Sequence, residues 1–353
     1  MIRLRNLTLL TTLICASTAV QAQNYKTIVV FGDSLSDTGN DSHLFAAAYG
    51  FRFPGTPTVF DYTDGRFTDG FDTFPAAQNY SGVWVEQLAA MLPSKPATVD
   101  SLDGGKNYAY GFAFTVAGTE DFALTPPYNA FQVKIDNIGL QITDYLATHP
   151  KIDRDTLFVV WGGANDVLNA ASPADVVNAA IAQAGNVERL IDAGATQFIV
   201  PNLPPLGAIP NLNGYPTLSA LATQLSVLFN QTLASGLDVV LDSNHGRKVR
   251  LFPFDIFALV NNILASPSAF ALVNVTSSAQ GVSPLNPDTY LFWDGLHPTT
   301  RGHNIVAAAA AELIEAHKCM VEPTLAASSD RDDSRTDGDW ECVAAGGDRD
   351  SGK

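Results

Sequence analysis

Two serines and two aspartates stand together in FGDSLSDTGN, residues 31–40, directly after the apolar run KTIVVF at 26–31. A serine hydroxyl is a weak nucleophile until a neighbouring base takes its proton, and that base is most often histidine. The chain has 6 histidines, and two of them follow an aspartate in Asp-x-x-His spacing: Asp242 with His245 in DSNH, and Asp294 with His297 in DGLHP. Spacing alone does not choose between them, but position does. Open parallel sheets carry their ligand sites at the carboxyl ends of the strands. Ser34 follows the first apolar run by three residues and so falls on that rim. DSNH immediately precedes the apolar run KVRLF (248–252) and belongs to the opposite rim, whereas YLFWDGLHPT leaves an apolar run and enters a helix, which puts His297 beside Ser34. Pro298 fixes the turn before that helix. His43, His149, His303 and His317 have no carboxylate at a useful spacing and read as structural or exposed.

A serine–histidine pair also needs donors for the oxygen that becomes negative when an acyl carbon is attacked. Asn165, in the GGAND that follows TLFVVW (156–161), reaches the same rim on a glycine-rich turn that allows close backbone approach. Gly82, in YSGVWVEQL, stands where a helix begins and backbone N–H groups lack helical partners. Ser34's own N–H is the third candidate.

The elements that must hold these residues follow from hydrophobic pattern. Short apolar runs at 26–31, 107–114, 156–161, 197–201 and 248–252 alternate with helical periodicity in GVWVEQLAAML, from Phe131 to Thr148, after Pro173, from Thr217 to Leu241, and in the last helix TTRGHNIVAAAAAELIEAH. Continuous apolar strands separated by amphipathic helices predict an α/β fold: one three-layer α/β/α domain around a central, mainly parallel sheet. Residues 41–81, rich in Pro, Gly and aromatics, are read as a long specialised loop overhanging the sheet's rim. The aromatics from Phe51 to Phe74, with Tyr128, offer an apolar wall for an acyl chain, or simply pack the loop down.

In this order the four polar stretches resemble the GDSL family of serine esterases and lipases, also called SGNH hydrolases. The likeness lies in FGDSLSDTGN, in GAND (163–166), in DGLHP (294–298) and in the helix GVWVEQLA; GGKNYAYGFAFT (104–115) and FIVPNLPPLG (198–207) extend it over the domain. The resemblance implies a flavodoxin-like fold, Ser34 as nucleophile, His297 as base and Asp294 as the residue orienting it. It implies an oxyanion hole of Ser34 N–H, Gly82 N–H and the Asn165 side chain; no histidine–carboxylate cluster has zinc spacing, so no cofactor or metal is expected. Ser36 lacks the strand-end position that matches the motif; Asp33, Asp37 and Asp166 read as loop braces. The implied activity is hydrolysis of carboxylic esters through an acyl-enzyme, with a small-molecule or lipid ester as substrate. Acyl transfer or phospholipase action at the same site, and a catalytically inactive binding protein, are the alternatives.

Composition narrows the setting. Hydrophobic residues make up 46% of the 353 and charged residues 16%, enough apolar material for a large core. A formal net charge of −16 argues against nucleic-acid binding. Residues 1–22 carry two arginines, an apolar stretch and Val20-Gln21-Ala22, the pattern of a cleaved export leader, so a secreted or periplasmic protein without a transmembrane segment, and a monomer, is expected. The domain then runs from 23 to 318, and 319–353 forms a polar acidic tail. Cys319 and Cys342 either pair in a disulfide or remain two thiols.

Overall fold

The computed structural model describes residues 25–54, 62–63, 65–69, 81–124, 130–282 and 286–320. The leader, most of the tail with Cys342 and its pairing, and the aromatics Phe71, Phe74 and Tyr128 lie outside them.

Strands β1 (Thr27–Gly32), β2 (Thr119–Ala123), β3 (Gln132–Asp136), β4 (Thr156–Trp161), β5 (Gln197–Pro201), β6 (Arg250–Phe254), β7 (Asn274–Ser278) and β8 (Tyr290–Phe292) alternate with helices. The helices are α1 (Asn40–Tyr49), α2 (Trp84–Met91), α3 (Ile138–Thr148), α4 (Ala164–Asn169), α5 (Pro173–Asp192), α6 (Pro210–Asn213), α7 (Pro216–Ser243), α8 (Ile256–Ala265) and α9 (Thr300–Met320). The central sheet is parallel throughout, in the order β1-β4-β5-β6. Because successive strand residues point to opposite faces, β1 sends Val29 and Phe31 into one core with α3, α5 and α7, and Ile28 and Val30 into a second core with α2 and α9. Helices thus cover both faces, and the expected three-layer α/β/α sandwich is the observed one.

Three expectations need correction. Residues 107–114 form no strand: Val30 N–H donates to Lys106 O (3.0 Å) and Tyr108 N–H to Val30 O (2.8 Å), so the segment runs beside β1. Asn107 then turns its side chain onto Ser36 O and the Ala109 N–H, which bends the chain away. The helix read from Phe131 begins only at Ile138. Val133 and Ile135 alternate with exposed residues as β3 pairs antiparallel with β2, and Ile135 satisfied the helical stripe by coincidence. Finally, the stretch read as a loop from residue 41 opens with α1, whose first N–H groups are capped by Asp37. The Asp37 carboxylate accepts from Gly39 and Asn40 (both 2.8 Å) and from Asp41 (3.2 Å).

Candidate active site

The turn after β1 is wound by Asp33, whose Oδ1 accepts the Leu35 N–H (3.0 Å) while its carbonyl accepts from Ser36 and Asp37. Gln141 of α3 clamps the strand end: Gly32 N–H donates to its Oε1 and its Nε2 donates to Gly32 O, both 2.9 Å. Ser34 is thereby carried out of the carboxyl edge of the sheet, and its N–H makes no hydrogen bond among the described residues.

Across from it, the chain leaving β8 turns on Asp294. One carboxylate oxygen accepts the N–H groups of Leu296 (2.7 Å) and His297 (2.5 Å), an Asx turn that fixes the loop. The other oxygen lies 2.7 Å from His297 Nδ1, and His297 Nε2 lies 2.9 Å from Ser34 Oγ. An ionised carboxylate only accepts, so Nδ1 carries the proton and Nε2 is the acceptor for the serine hydroxyl. Burial pushes the Asp294 carboxyl up, but the adjacent His297, its hydrogen bonds and the Tyr62 hydroxyl outweigh that and hold it at about 2. Asp294 is therefore ionised across the ordinary pH range.

Asn165 arrives in the first turn of α4. Gly163 before it has φ +111°, and a Cβ there would stand 2.3 Å from the Phe229 ring, so only glycine lets the turn sit against α7. The Asn165 Nδ2 donates one hydrogen to Ala113 O (3.1 Å), which aims the amide; its second hydrogen remains for the cavity that Asn165 lines with Ser34 and His297. Asp166 braces the same turn by accepting from the Thr115 N–H and hydroxyl. Burial pushes Asp166 up to about 6, and Asp33 likewise.

Gly82 is placed apart. It does not line either cavity that Ser34 opens onto. With φ +74° it precedes α2, and a Cβ there would meet the Glu86 carboxylate at 2.0 Å. That carboxylate is held by Arg66 (2.6 Å). The rejected histidines also have evident roles: His245 turns Nδ1 to the Asp242 carbonyl at the far rim (2.8 Å), and buried His303, pushed down to about 3 by its burial, accepts the Trp84 N–H.

Residues 62–63 and 65–69 form a strap that packs against the histidine and its aspartate. Tyr62 donates its hydroxyl to the same Asp294 oxygen that faces His297 (2.5 Å), and the Phe67 ring stacks on the imidazole with centroids 5.1 Å apart. Asp69 accepts the Thr300 N–H (2.5 Å), tying the strap to the start of α9. Only the aromatic richness of this segment pointed to it.

Ser34, Asn165, Leu296 and His297 lie between two apolar cavities. One is walled by residues such as Trp161, Leu206, Ile209, Ile256 and Ile263. The other is walled by Phe53, Phe67, Phe112, Phe122 and Leu124. Among the described residues one group, His43, Asp100 and Asp103, has donor atoms within 4.8 Å of one another as a metal would need; it lines neither cavity. No helix among those residues is long and apolar enough to cross a membrane.

An α/β/α sandwich with a serine, a histidine and an aspartate linked at the carboxyl edge of its sheet is the plan of a serine hydrolase. The sequence matches the GDSL-like Lipase/Acylhydrolase family over residues 28–310, and the chain belongs to that family. It is 30% identical to Esterase EstA of Pseudomonas aeruginosa, over 92% of this chain and 53% of EstA. It is 27% identical to Lipase 1 of Photorhabdus luminescens, over 84% of this chain and 51% of that protein. It therefore spans about half the length of these relatives. A phosphatidylcholine-sterol acyltransferase of Aeromonas hydrophila is 26% identical, over 82% of this chain and 90% of that protein.

Proposed function

We propose that the protein hydrolyses carboxylic esters with an extended apolar acyl chain, using Ser34 as nucleophile, His297 as general base and Asp294 as its orienting carboxylate. The observation that carries this reading is the unbroken line from Ser34 Oγ to His297 Nε2 (2.9 Å) and from Nδ1 to Asp294 (2.7 Å). Ser34 Oγ bonds to the ester carbon as its proton passes to Nε2, and Asp294 offsets the charge of the imidazolium. The carbonyl oxygen, now negative, takes hydrogen bonds from the Ser34 N–H and the free Asn165 amide hydrogen. Collapse breaks the carbon–alkoxide bond, and the alcohol leaves with the proton from Nε2. Water then gives a proton to the same nitrogen and attacks the acyl-serine, releasing the acid and restoring Ser34.

The two cavities support an ester with apolar groups on both sides of the reacting carbon. A second reading, transfer of the acyl group to an alcohol instead of water, is favoured by the aromatic-walled cavity, which offers an acceptor a place beside His297, and by the likeness to an acyltransferase over nearly all of that protein's length. The leader pattern of residues 1–22 supports export, to the periplasm or beyond. Labelling with diisopropyl fluorophosphate tests the assignment: one phosphoryl adduct should map to Ser34 and be absent from His297→Ala, and an adduct at any other residue would remove Ser34 from the role.

A further inference from the structure

Phe112 holds a backbone conformation that its side chain disfavours. Ala113 N–H donates to Tyr110 O (3.3 Å), closing a turn in which Phe112 has φ +65°. Glycine ordinarily fills such a turn position, and a bulky residue there is an outlier that persists only where its surroundings enforce it. The turn itself is needed, because it delivers the Ala113 carbonyl to Asn165 Nδ2 (3.1 Å), the bond that aims the amide. Glycine would make the same turn without strain, so what phenylalanine adds is its ring. That ring is half-buried and stacks on Phe122 of β2, with centroids 5.7 Å apart and planes at 21°. Phe122 in turn lies 6.3 Å from Phe67, whose ring stacks on the His297 imidazole. Phe112 also lines the aromatic-walled cavity, to which Ser34, Asn165 and His297 contribute. A run of rings thus leads from His297 to Phe112.

We propose that Phe112 is a specificity-determining residue whose ring selects esters with a flat, unsaturated ring in the alcohol half. The proposal rests on the ester-hydrolase reading and names the part of the substrate that this cavity takes. His297 Nε2 must stand beside the departing oxygen to return the proton. The aromatic-walled cavity is the one with Phe67 and Tyr62 packed around that imidazole. The alcohol therefore leaves along it, and the acyl chain takes the cavity walled by Trp161, Ile209 and Ile263. A planar ring in the alcohol meets Phe112 and Phe122 by offset or edge-to-face contact, a geometry that a saturated chain cannot match. The strain at Phe112 is kept because the ring touches substrate.

The ratio of kcat/KM for benzyl butyrate to that for ethyl butyrate reads the alcohol half while the acyl half stays fixed. Phe112→Gly removes the ring and the φ strain together and so should fold; it is expected to lower that ratio about tenfold or more. The optimum acyl length among ethyl esters should stay that of wild type. Phe112→Leu keeps an apolar side chain at the same φ and should lose most of the preference as well. A ratio in Phe112→Gly within about twofold of wild type, or a leucine variant as selective as wild type, would overturn the proposal. So would a shifted acyl optimum with the ratio unmoved, which would put the ring on the acyl side. Binding of 2-naphthol, followed by its fluorescence, is read apart from turnover: wild type should bind it about tenfold more tightly than Phe112→Gly. That difference in a wild type that hydrolyses neither ester would sink the hydrolase reading and leave the ring site standing; equal binding by both proteins, or none by either, would overturn the ring site.

Discussion

The hydroxyl of Tyr62 donates to Asp294 Oδ2 at 2.5 Å, the oxygen that also faces His297 Nδ1 at 2.7 Å. One carboxylate oxygen thus serves both a phenol and the imidazole, and the phenol draws off part of the negative charge that would otherwise steady the imidazolium. Burial and the neighbouring Asp294 push the Tyr62 hydroxyl well above its ordinary range, so it remains a donor throughout.

Tyr62→Phe removes that donor and leaves the ring contacts. The Asp294 carboxyl, which this donor helps to hold at about 2, becomes more basic. Loss of a hydrogen bond to a charged group on this scale corresponds to about a tenfold effect on kcat/KM at pH 6. A kcat/KM within about twofold of wild type would reduce Tyr62 to a packing residue.

Asn165→Ala removes the side-chain donor proposed for the oxyanion and should lower kcat by about 10²–10³ with little change in KM. Steady-state kinetics check it, and a loss under about threefold would place the amide outside the reaction.

Gly82→Ala tests the placement of Gly82 away from the cavities. A methyl at φ +74° that also displaces Glu86 from Arg66 should cost about 2 kcal/mol of stability, seen as a lower Tm, with turnover per folded molecule unchanged. An unaltered Tm with a hundredfold loss of kcat would return Gly82 N–H to the oxyanion hole.

Asp166 makes a pH-dependent contribution to stability. Its carboxyl titrates at about 6 in the fold against an ordinary value of 3.8, so the folded chain holds the proton more tightly than the unfolded one. Its contribution is fully present below the unfolded value and is lost as pH rises through about 6. Asp166→Asn keeps an acceptor for Thr115 and removes the titration. The Tm of the variant relative to wild type should therefore climb from about pH 4 to about pH 7, and a constant difference over that window would contradict the account.

How much of this was readable in advance follows from what each residue needs. Ser34 and Asn165 are polar residues at the ends of apolar runs that become β1 and β4, and the order of runs on a parallel sheet already puts them on one rim; Asp294 and His297 also follow an apolar run, but β8 pairs with β7 outside the central sheet. Asp37, too, was correctly read as a brace, and Asn40 proves to be another: its side-chain amide donates to the carbonyls of Asn107 and Ala109, both at 2.9 Å. Gln141 and Tyr62 left no trace, because their partners, Gly32 and Asp294, lie 109 and 232 residues away and nothing local marks a glutamine or tyrosine for such a contact. The strand read at 107–114 failed because an asparagine side chain took over backbone positions that a ladder would have used. The helix start at 131 failed because Ile135, Ile138 and Ile142 fit a helical stripe while β3 needs only alternation over five residues.

The central claim is that the Ser34–His297–Asp294 line breaks ester bonds and that apolar cavities receive the chain. Turnover of p-nitrophenyl esters of increasing acyl length by wild type and Ser34→Ala tests it most directly. The account predicts hydrolysis by wild type that improves as the chain lengthens beyond acetate, and a loss of at least about 10³-fold in Ser34→Ala. Equal rates from the two proteins would contradict it.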